Sequence, residues 1–208
     1  MISIRRKLMA MVETQPDTAL YNWNLKSSLV DTISGVQATT NGTITANGLS
    51  FVGGSKYIEF PGIFDVDKTY VVKVGRIAMP LNTQIFARLL MVDTDPNTSS
   101  GGSGFVLGGR TSRAGDGFYV FPSWDSASLI SRQVDPDGSY FDGTTFALYF
   151  ASNRIAYAYR NGVLIGNSER AFNNVVGSNI YIGSNTTDDN FGDGLILGLT
   201  VYDGNIYS

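Results

Sequence analysis

Residues 154–168 read Arg154-Ile-Ala-Tyr-Ala-Tyr-Arg-Asn161-Gly162-Val-Leu-Ile-Gly-Asn-Ser168, and the fold class turns on this stretch. Ile155 to Tyr159 is β-prone, Val163 to Ile165 is β-prone, and Asn161-Gly162 stands between them. Asn-Gly in that setting signals a two-residue hairpin, because both turn residues must take positive φ. Glycine does so freely and asparagine tolerates it. Upstream, Phe146 to Phe150 adds another strand across the Ser152-Asn153 turn.

The same strand-and-turn grammar runs outward in both directions. Leu49 to Val52 and Lys56 to Phe60 flank the turn pair Gly53-Gly54. In Lys68 to Ile77, Tyr70, Val72 and Val74 alternate with Val71, Lys73 and Gly75. Ile85 to Val92 is apolar on both parities apart from Arg88, which predicts a central strand covered on both faces. Phe105 to Gly108, Phe118 to Phe121, Ser128 to Ile130, Ile180 to Ile182 and Leu195 to Tyr202 are further strands. The stretches 97–104, 110–117 and 183–190 read as Gly/Ser/Asn-rich loops. Trp23 precedes an apolar stretch and is expected in the core. About a dozen short strands without an intervening helix predict a β-sandwich or barrel.

Composition agrees. The 208 residues hold 24 glycines, 16% charged and 12% aromatic residues, with Glu three times and Lys five, unlike a helical protein. That length fits one large domain. A net charge of −3 offers no overall attraction for nucleic acid. Histidine and cysteine are absent, which removes disulfides, thiolate chemistry and His-based triads. No segment approaches the ~20 apolar residues of a membrane-spanning helix.

The exception to the β pattern is the start. Ile4, Leu8, Met11 and Val12 fall on one helical face, with Arg5, Arg6 and Lys7 largely off it. The segment Thr14-Gln-Pro-Asp-Thr18 then breaks the helix. The expected organisation is an amphipathic arm and hinge over residues 1–18, then one sandwich over 19–208. The apolar run Leu8 to Val12 is shorter than an export signal and Glu13 follows it, so the arm is expected to stay in the mature protein. Ile4, Arg5, Arg6, Lys7, Leu8 and Met11 are the residues of a partner-docking arm. A frayed terminus or a helix packed on its own domain is the competing description of the arm, and a solvated helix face that of its basic residues. Basic residues beside an apolar stripe suit a protein groove better than phosphates.

The order of elements resembles the laminin-G-like and concanavalin A-like lectin superfamily. Tyr21-Asn-Trp23, Leu29-Val-Asp31 and Gly48-Leu-Ser-Phe51 with Tyr57-Ile58 are similar to its opening strands. Tyr159-Arg-Asn-Gly-Val-Leu-Ile-Gly166 resembles its Y-x-N-G-x-x-x-G hairpin. Asn179 to Gly183 and Phe191 to Tyr202 resemble its last two strands. The resemblance spans roughly residues 20–205 and implies an all-β, concanavalin A-like jelly-roll sandwich of two antiparallel sheets. Ile4-Arg-Arg-Lys-Leu-Met9 ahead of such a domain is also similar to small structural proteins of tailed bacteriophages that infect gut bacteria. That likeness implies a virion component: a head fibre, decoration protein or tail adhesin.

Glucanases of the superfamily use an E-x-D-x-E strand, and Glu13, Glu59 and Glu169 stand in no such pattern. Retaining hydrolysis needs two carboxyls about 5 Å apart, so a non-catalytic protein is expected. Sugars present both C–H faces and hydroxyls, so aromatics beside Asp, Asn or Arg are the candidate glycan contacts. These are Trp124, Asp125, Tyr119 and Arg110. Phe118 and Tyr119 read first as core or edge aromatics of a strand, whereas turn-like neighbours favour exposure of Trp124. Laminin-G-like modules often hold calcium at one rim. Asp93, Asp95, Asp135 and Asp137 are the candidate ligands, though such aspartates also serve turns alone. No cofactor is required by this reading, and calcium is an option.

The leading reading is a virion-surface adhesive or structural protein, docked to other virion proteins or to itself through the arm. It binds host-surface glycan and forms a homo-oligomer, with no nucleic-acid partner. The alternative is a secreted or cell-surface carbohydrate-binding module of a bacterium. An unusual glycosidase is a third reading, disfavoured by the scattered glutamates.

Overall fold

A computed structural model describes residues 19–52, 56–78, 85–93, 105–111, 117–121, 128–131, 143–168, 171–172, 176–183 and 193–207. For 77–78, 85–88, 93, 105–111, 117–121, 128–131 and 193, what is described is the strand path and its register. The strands are β1 (Ala19–Asn24), β2 (Thr39–Thr40), β3 (Thr43–Thr45), β4 (Gly48–Phe51) and β5 (Tyr57–Phe60). β6 (Lys68–Ala78), β7 (Ile85–Asp93), β8 (Phe105–Thr111), β9 (Gly117–Phe121) and β10 (Ser128–Ser131) follow. β11 (Thr145–Phe150), β12 (Ala156–Arg160), β13 (Val163–Asn167), β14 (Asn179–Gly183) and β15 (Asp193–Asp203) complete the set. No helix occurs among the described residues. The arm and hinge lie outside them.

Two antiparallel sheets form the expected jelly-roll sandwich. The eight-stranded sheet runs β13-β12-β11-β6-β15-β4-β3, with β1 also paired to β15. The seven-stranded sheet runs β10-β9-β8-β7-β14-β5-β2. The last two strands enter each sheet from within, β14 between β5 and β7, and β15 between β6 and β4. Neither sheet is whole until the C-terminal residues are in place, a topology of distant contacts.

The Asn161-Gly162 turn has φ of 49° and 80°, as the hairpin requires. Asn161 also ties the turn to β11: its N–H donates to Thr145 O at 2.8 Å, and its Oδ1 accepts from Thr145 N at 2.9 Å. In β6, Tyr70, Val72 and Val74 face the core between the sheets, and Lys73 is exposed. β7 is an interior strand, as its double apolar parity predicts. Leu90 and Val92 enter the core while Met91, on the opposite parity, is equally buried. A register shift between Arg88 and Leu90 also brings Leu89 into the core.

Aromatic rings hold the sheets together. Trp23 is buried, meets Phe60 edge-on at 4.8 Å, and its Nε1 donates to Val36 O at 3.1 Å. Phe150 meets Phe64 at 4.9 Å and Phe172 at 5.1 Å, both edge-on. Such pairs add about 0.5–1.5 kcal/mol each beyond area burial. The Tyr70 hydroxyl accepts from Asp65 N at 2.7 Å and lies 3.1 Å from Ile63 O as donor. Burial drives its pKa well above the usual tyrosine range.

A second, smaller cluster lies on the outer face of the eight-stranded sheet. Val71, Ala147, Tyr159 and Tyr202 are buried there, with Ala19, Tyr149, Tyr157, Ile206 and Tyr207 packed around them.

Candidate functional site

On β5 and β14, Ile58, Phe60, Ile180 and Ile182 point into the core. The period of two therefore puts Tyr57, Glu59, Asn179 and Tyr181 on the outer face of the seven-stranded sheet. Pairing lines several of these up. Thr39, Glu59, Tyr181, Met91, Val106 and Phe121 occupy one row across β2, β5, β14, β7, β8 and β9.

Tyr181 and Met91 are each only 1% exposed although they lie outside the core cluster. They form a buried floor. Tyr57, Glu59 and Asn179 beside it are half-buried. Tyr57 and Tyr181 have ring centroids 6.3 Å apart at a tilt of 58°. Asn179 fixes the polar part: its Oδ1 accepts from Gly62 N at 2.8 Å, and its Nδ2 donates to Glu59 Oε1 at 2.6 Å and to Tyr181 OH at 3.1 Å. The amide holds the carboxylate in one orientation against an aromatic floor. A carboxylate accepts hydrogen bonds from hydroxyls, and tyrosine rings cover apolar C–H surface.

Register brings three sequence candidates to this same face. Gly108 pairs with Tyr119 and Arg110 with Gly117, so Tyr119 and Arg110 share the parity of Val106 and Met91. Asp93 stands opposite Asn179. Arg110 was expected in a loop; it lies within β8, which extends to Thr111, and Gly117 already opens β9. Trp124, Asp125, Asp95, Asp135 and Asp137, with the arm residues, lie outside the described residues. Among the described residues no three His, Cys, Asp or Glu side chains are grouped to hold a metal.

Sequence reasoning missed Tyr57, Glu59, Asn179 and Tyr181 as a set. The alternation in Tyr57-Ile-Glu-Phe60 and Asn179-Ile-Tyr-Ile182 put each pair on a non-core parity. What it did not show is that strands some 120 residues apart are neighbours.

A separate polar group gathers at the end of the eight-stranded sheet. Lys68 Nζ donates to Asp203 Oδ1 at 2.8 Å. That hydrogen bond raises the lysine pKa, against the pull of burial, and the charges of Asp203, Asp65 and Asp67 add to it. The same bond and the lysine charge hold Asp203 below its ordinary value. Asp67 accepts from Tyr149 OH at 3.0 Å and Ser152 N at 2.8 Å. Burial, then that bond, raises Tyr149. Nearby, Leu20, Tyr21, Phe64, Asp65, Lys68 and Val201 line a cleft of about 190 Å³. That is smaller than the roughly 300–1,000 Å³ of small-molecule pockets.

No family model matches the chain, and no curated protein sequence matches it significantly. Solved structures do. Domain 4 of AbnA, a GH43 extracellular arabinanase from Geobacillus stearothermophilus in complex with arabinotriose, is similar at 16% identity and TM-score 0.59. That match covers 90% of this chain and 93% of that one. The carbohydrate recognition domain of Emp47p matches at 10% identity and TM-score 0.61, over 92% of this chain and 100% of that one. Trypanosoma rangeli sialidase matches at 16% identity and TM-score 0.66, over 90% of this chain but 31% of the sialidase. At such identities the likeness shows the fold alone, an antiparallel jelly-roll β-sandwich.

Proposed function

We propose that the protein is a non-catalytic adhesive and structural component of a phage particle that binds surface glycan on the outer face of its seven-stranded sheet. The observation that carries the glycan reading is the Glu59 carboxylate clamped by Asn179 beside the Tyr57–Tyr181 pair. Sugar C–H groups would lie on the Tyr57 ring and sugar hydroxyls would donate to Glu59. Support comes from the neighbours: the arabinanase domain was solved with arabinotriose, and Emp47p's matching region is a carbohydrate recognition domain. The phage reading is carried by the sequence of the arm, residues 1–12, as the segment that attaches the domain to its particle. Repeated copies would supply avidity.

A glycan array followed by calorimetric titration of the best hit tests the binding. Tyr57→Ala, at a half-buried position, is expected to weaken affinity at least about tenfold, a loss of roughly 1.4 kcal/mol, while the fold survives. Trp124→Ala, run beside it, asks whether that residue shares the site. Repeating the titration in EDTA reads calcium dependence. No reproducible hit would leave a purely structural role. The arabinanase likeness also favours a second reading, a bacterial carbohydrate-binding module. Unchanged incorporation into particles after deletion of residues 1–15 would overturn the arm's role, and absence of the full-length protein from particles would favour the bacterial module.

A further inference from the structure

Ala19, Tyr202, Thr69, Tyr149, Tyr157 and Asn167 stand opposite one another on β1, β15, β6, β11, β12 and β13. They form one row across the outer face of the eight-stranded sheet. The next row, with Val71, Ala147 and Tyr159, is buried, and Ile206 and Tyr207 pack against it. Tyr149 and Tyr157 remain half-buried, their rings stacked with centroids 6.2 Å apart. Ala19 packs against the same cluster, so the preceding residues join the fold at one end of this row.

We infer that the N-terminal segment of the same chain docks along this row, its apolar residues Met11, Val12 and Leu8 on the Tyr149–Tyr157 pair. The reading concerns the free protein and does not rest on glycan binding, which is placed on the other sheet. Reach permits it. Three strand spacings of about 4.8 Å separate β1 from β11, which carries Tyr149, about 14 Å in all. Residues 13–18 can span up to about 20 Å when extended. A helix then advances about 6 Å per four residues, so Val12, Leu8 and Ile4 would follow β11, β12 and β13 in turn.

Charge complements it. Asp65, Asp67 and Asp203 surround the Lys68 ammonium at the end of the sheet where Ala19 enters, with Arg154 in the adjoining turn. Lys73 lies two rows away on the same outer face, so this end sets three carboxylates against two cations. Carboxylates stay in excess, and Arg5, Arg6 and Lys7 lie along the flank of the segment's apolar stripe. Arginine over a tyrosine ring adds cation–π attraction.

The chain contains no cysteine, so Leu8→Cys supplies a unique site for a nitroxide label. In the full-length, isotope-labelled protein, amide signals of Tyr149, Tyr157 and Asn167 should lose most of their intensity and recover on reduction of the nitroxide. Those of Tyr57 and Tyr181 should not change. Reversing Arg5, Arg6 and Lys7 to glutamate should restore the lost signals. A row left unbroadened, or broadening on the seven-stranded sheet instead, would overturn the proposal. So would broadening that appears only when nitroxide-labelled and isotope-labelled chains are mixed, which would assign the row to the arm of a second copy.

Discussion

The outer faces of the two sheets invite comparison, since each buries tyrosine away from the main core. On the eight-stranded sheet the chain covers its own face. Gly204 turns at φ 70°, its carbonyl accepts from Thr69 Oγ1 at 2.6 Å, and Ile206 and Tyr207 fold back over Tyr159. Asn205 Nδ2 donates to Tyr159 OH at 3.0 Å, and Tyr149 OH donates to Asp67. The Tyr149 and Tyr159 hydroxyls on this side are thus bonded to the protein itself. On the seven-stranded sheet an amide holds a half-buried carboxylate beside a half-buried ring. A face that hydrogen-bonds its tyrosines to its own loops serves cohesion. A face that presents a fixed acceptor beside a ring has the chemistry for a hydroxylated ligand.

The largest expected effect breaks the second face. Gly183 ends β14 at φ 84°, and a Cβ there would lie 2.3 Å from the carbonyl oxygen of Lys56. That oxygen is backbone and β14 is flanked by β5 and β7, so the clash has no cheap exit. Gly183→Ala should cost about 3–5 kcal/mol, left-handed strain plus overpacking. The matched change on the other sheet is Gly162→Ala, at φ 80°, where the nearest atoms belong to Tyr207 at 3.5 Å. Strain alone predicts about 1–2 kcal/mol there. Denaturant midpoints of the two variants check the ranking, and equal losses would mean that β14 yields more readily than its register implies.

Next in size is removal of Asn205 to Ser208. It uncovers Val71, Ala147 and Tyr159 and removes the Tyr159–Tyr207 pair, whose centroids are 4.8 Å apart. Partial burial of two large side chains corresponds to about 2–3 kcal/mol of stability. Glycan affinity should stay at the wild-type value, because the covered face and the Glu59 face belong to different sheets. Parallel loss of affinity would show that the two faces do not act independently.

The fold was legible where its signals are local. Asn161-Gly162 announces a hairpin from two residues, and the parity of Tyr70, Val72 and Val74 announces a buried face from five. Thr39-Thr40 and Thr43-Ile-Thr45 escaped notice because strands that short have almost no alternation to show. Of the candidate site, parities alone were legible: by register Tyr119, Arg110 and Asp93 share the parity of the row that holds Glu59 and Tyr181. What joins them is strand pairing between β5 and β14 and between β14 and β7. Pairing depends on loop closure across the whole chain, and no local pattern encodes it. Arg110 looked like loop because glycine and serine crowd its neighbourhood, yet paired backbone carries β8 through it.

The smallest effect uses acid to tell the two sides apart. Asp31 is buried next to β1 and accepts from the backbone N–H of Asn22 and from both the N–H and hydroxyl of Ser34. Burial pushes its pKa up, but these bonds outweigh it and hold the carboxyl below the ordinary aspartate value of 3.8. A depressed folded-state pKa stabilises the protein fully above the unfolded value and loses that contribution as pH falls through the folded one. Asp203 carries the same sign through Lys68, whereas the raised Lys68 pKa contributes below 10.5 and fades as pH rises beyond its folded value. The eight-stranded side should therefore loosen first below about pH 4. Amide exchange at Asn22 and Thr32 would speed up before exchange at Ile180 and Ile182. Asp31→Asn keeps one acceptor oxygen and should cost about 1–2 kcal/mol at neutral pH while flattening this acid slope. An unchanged slope in that variant would move the acid sensitivity to the Lys68–Asp203 pair, whose carboxylate is exposed and can be screened by salt.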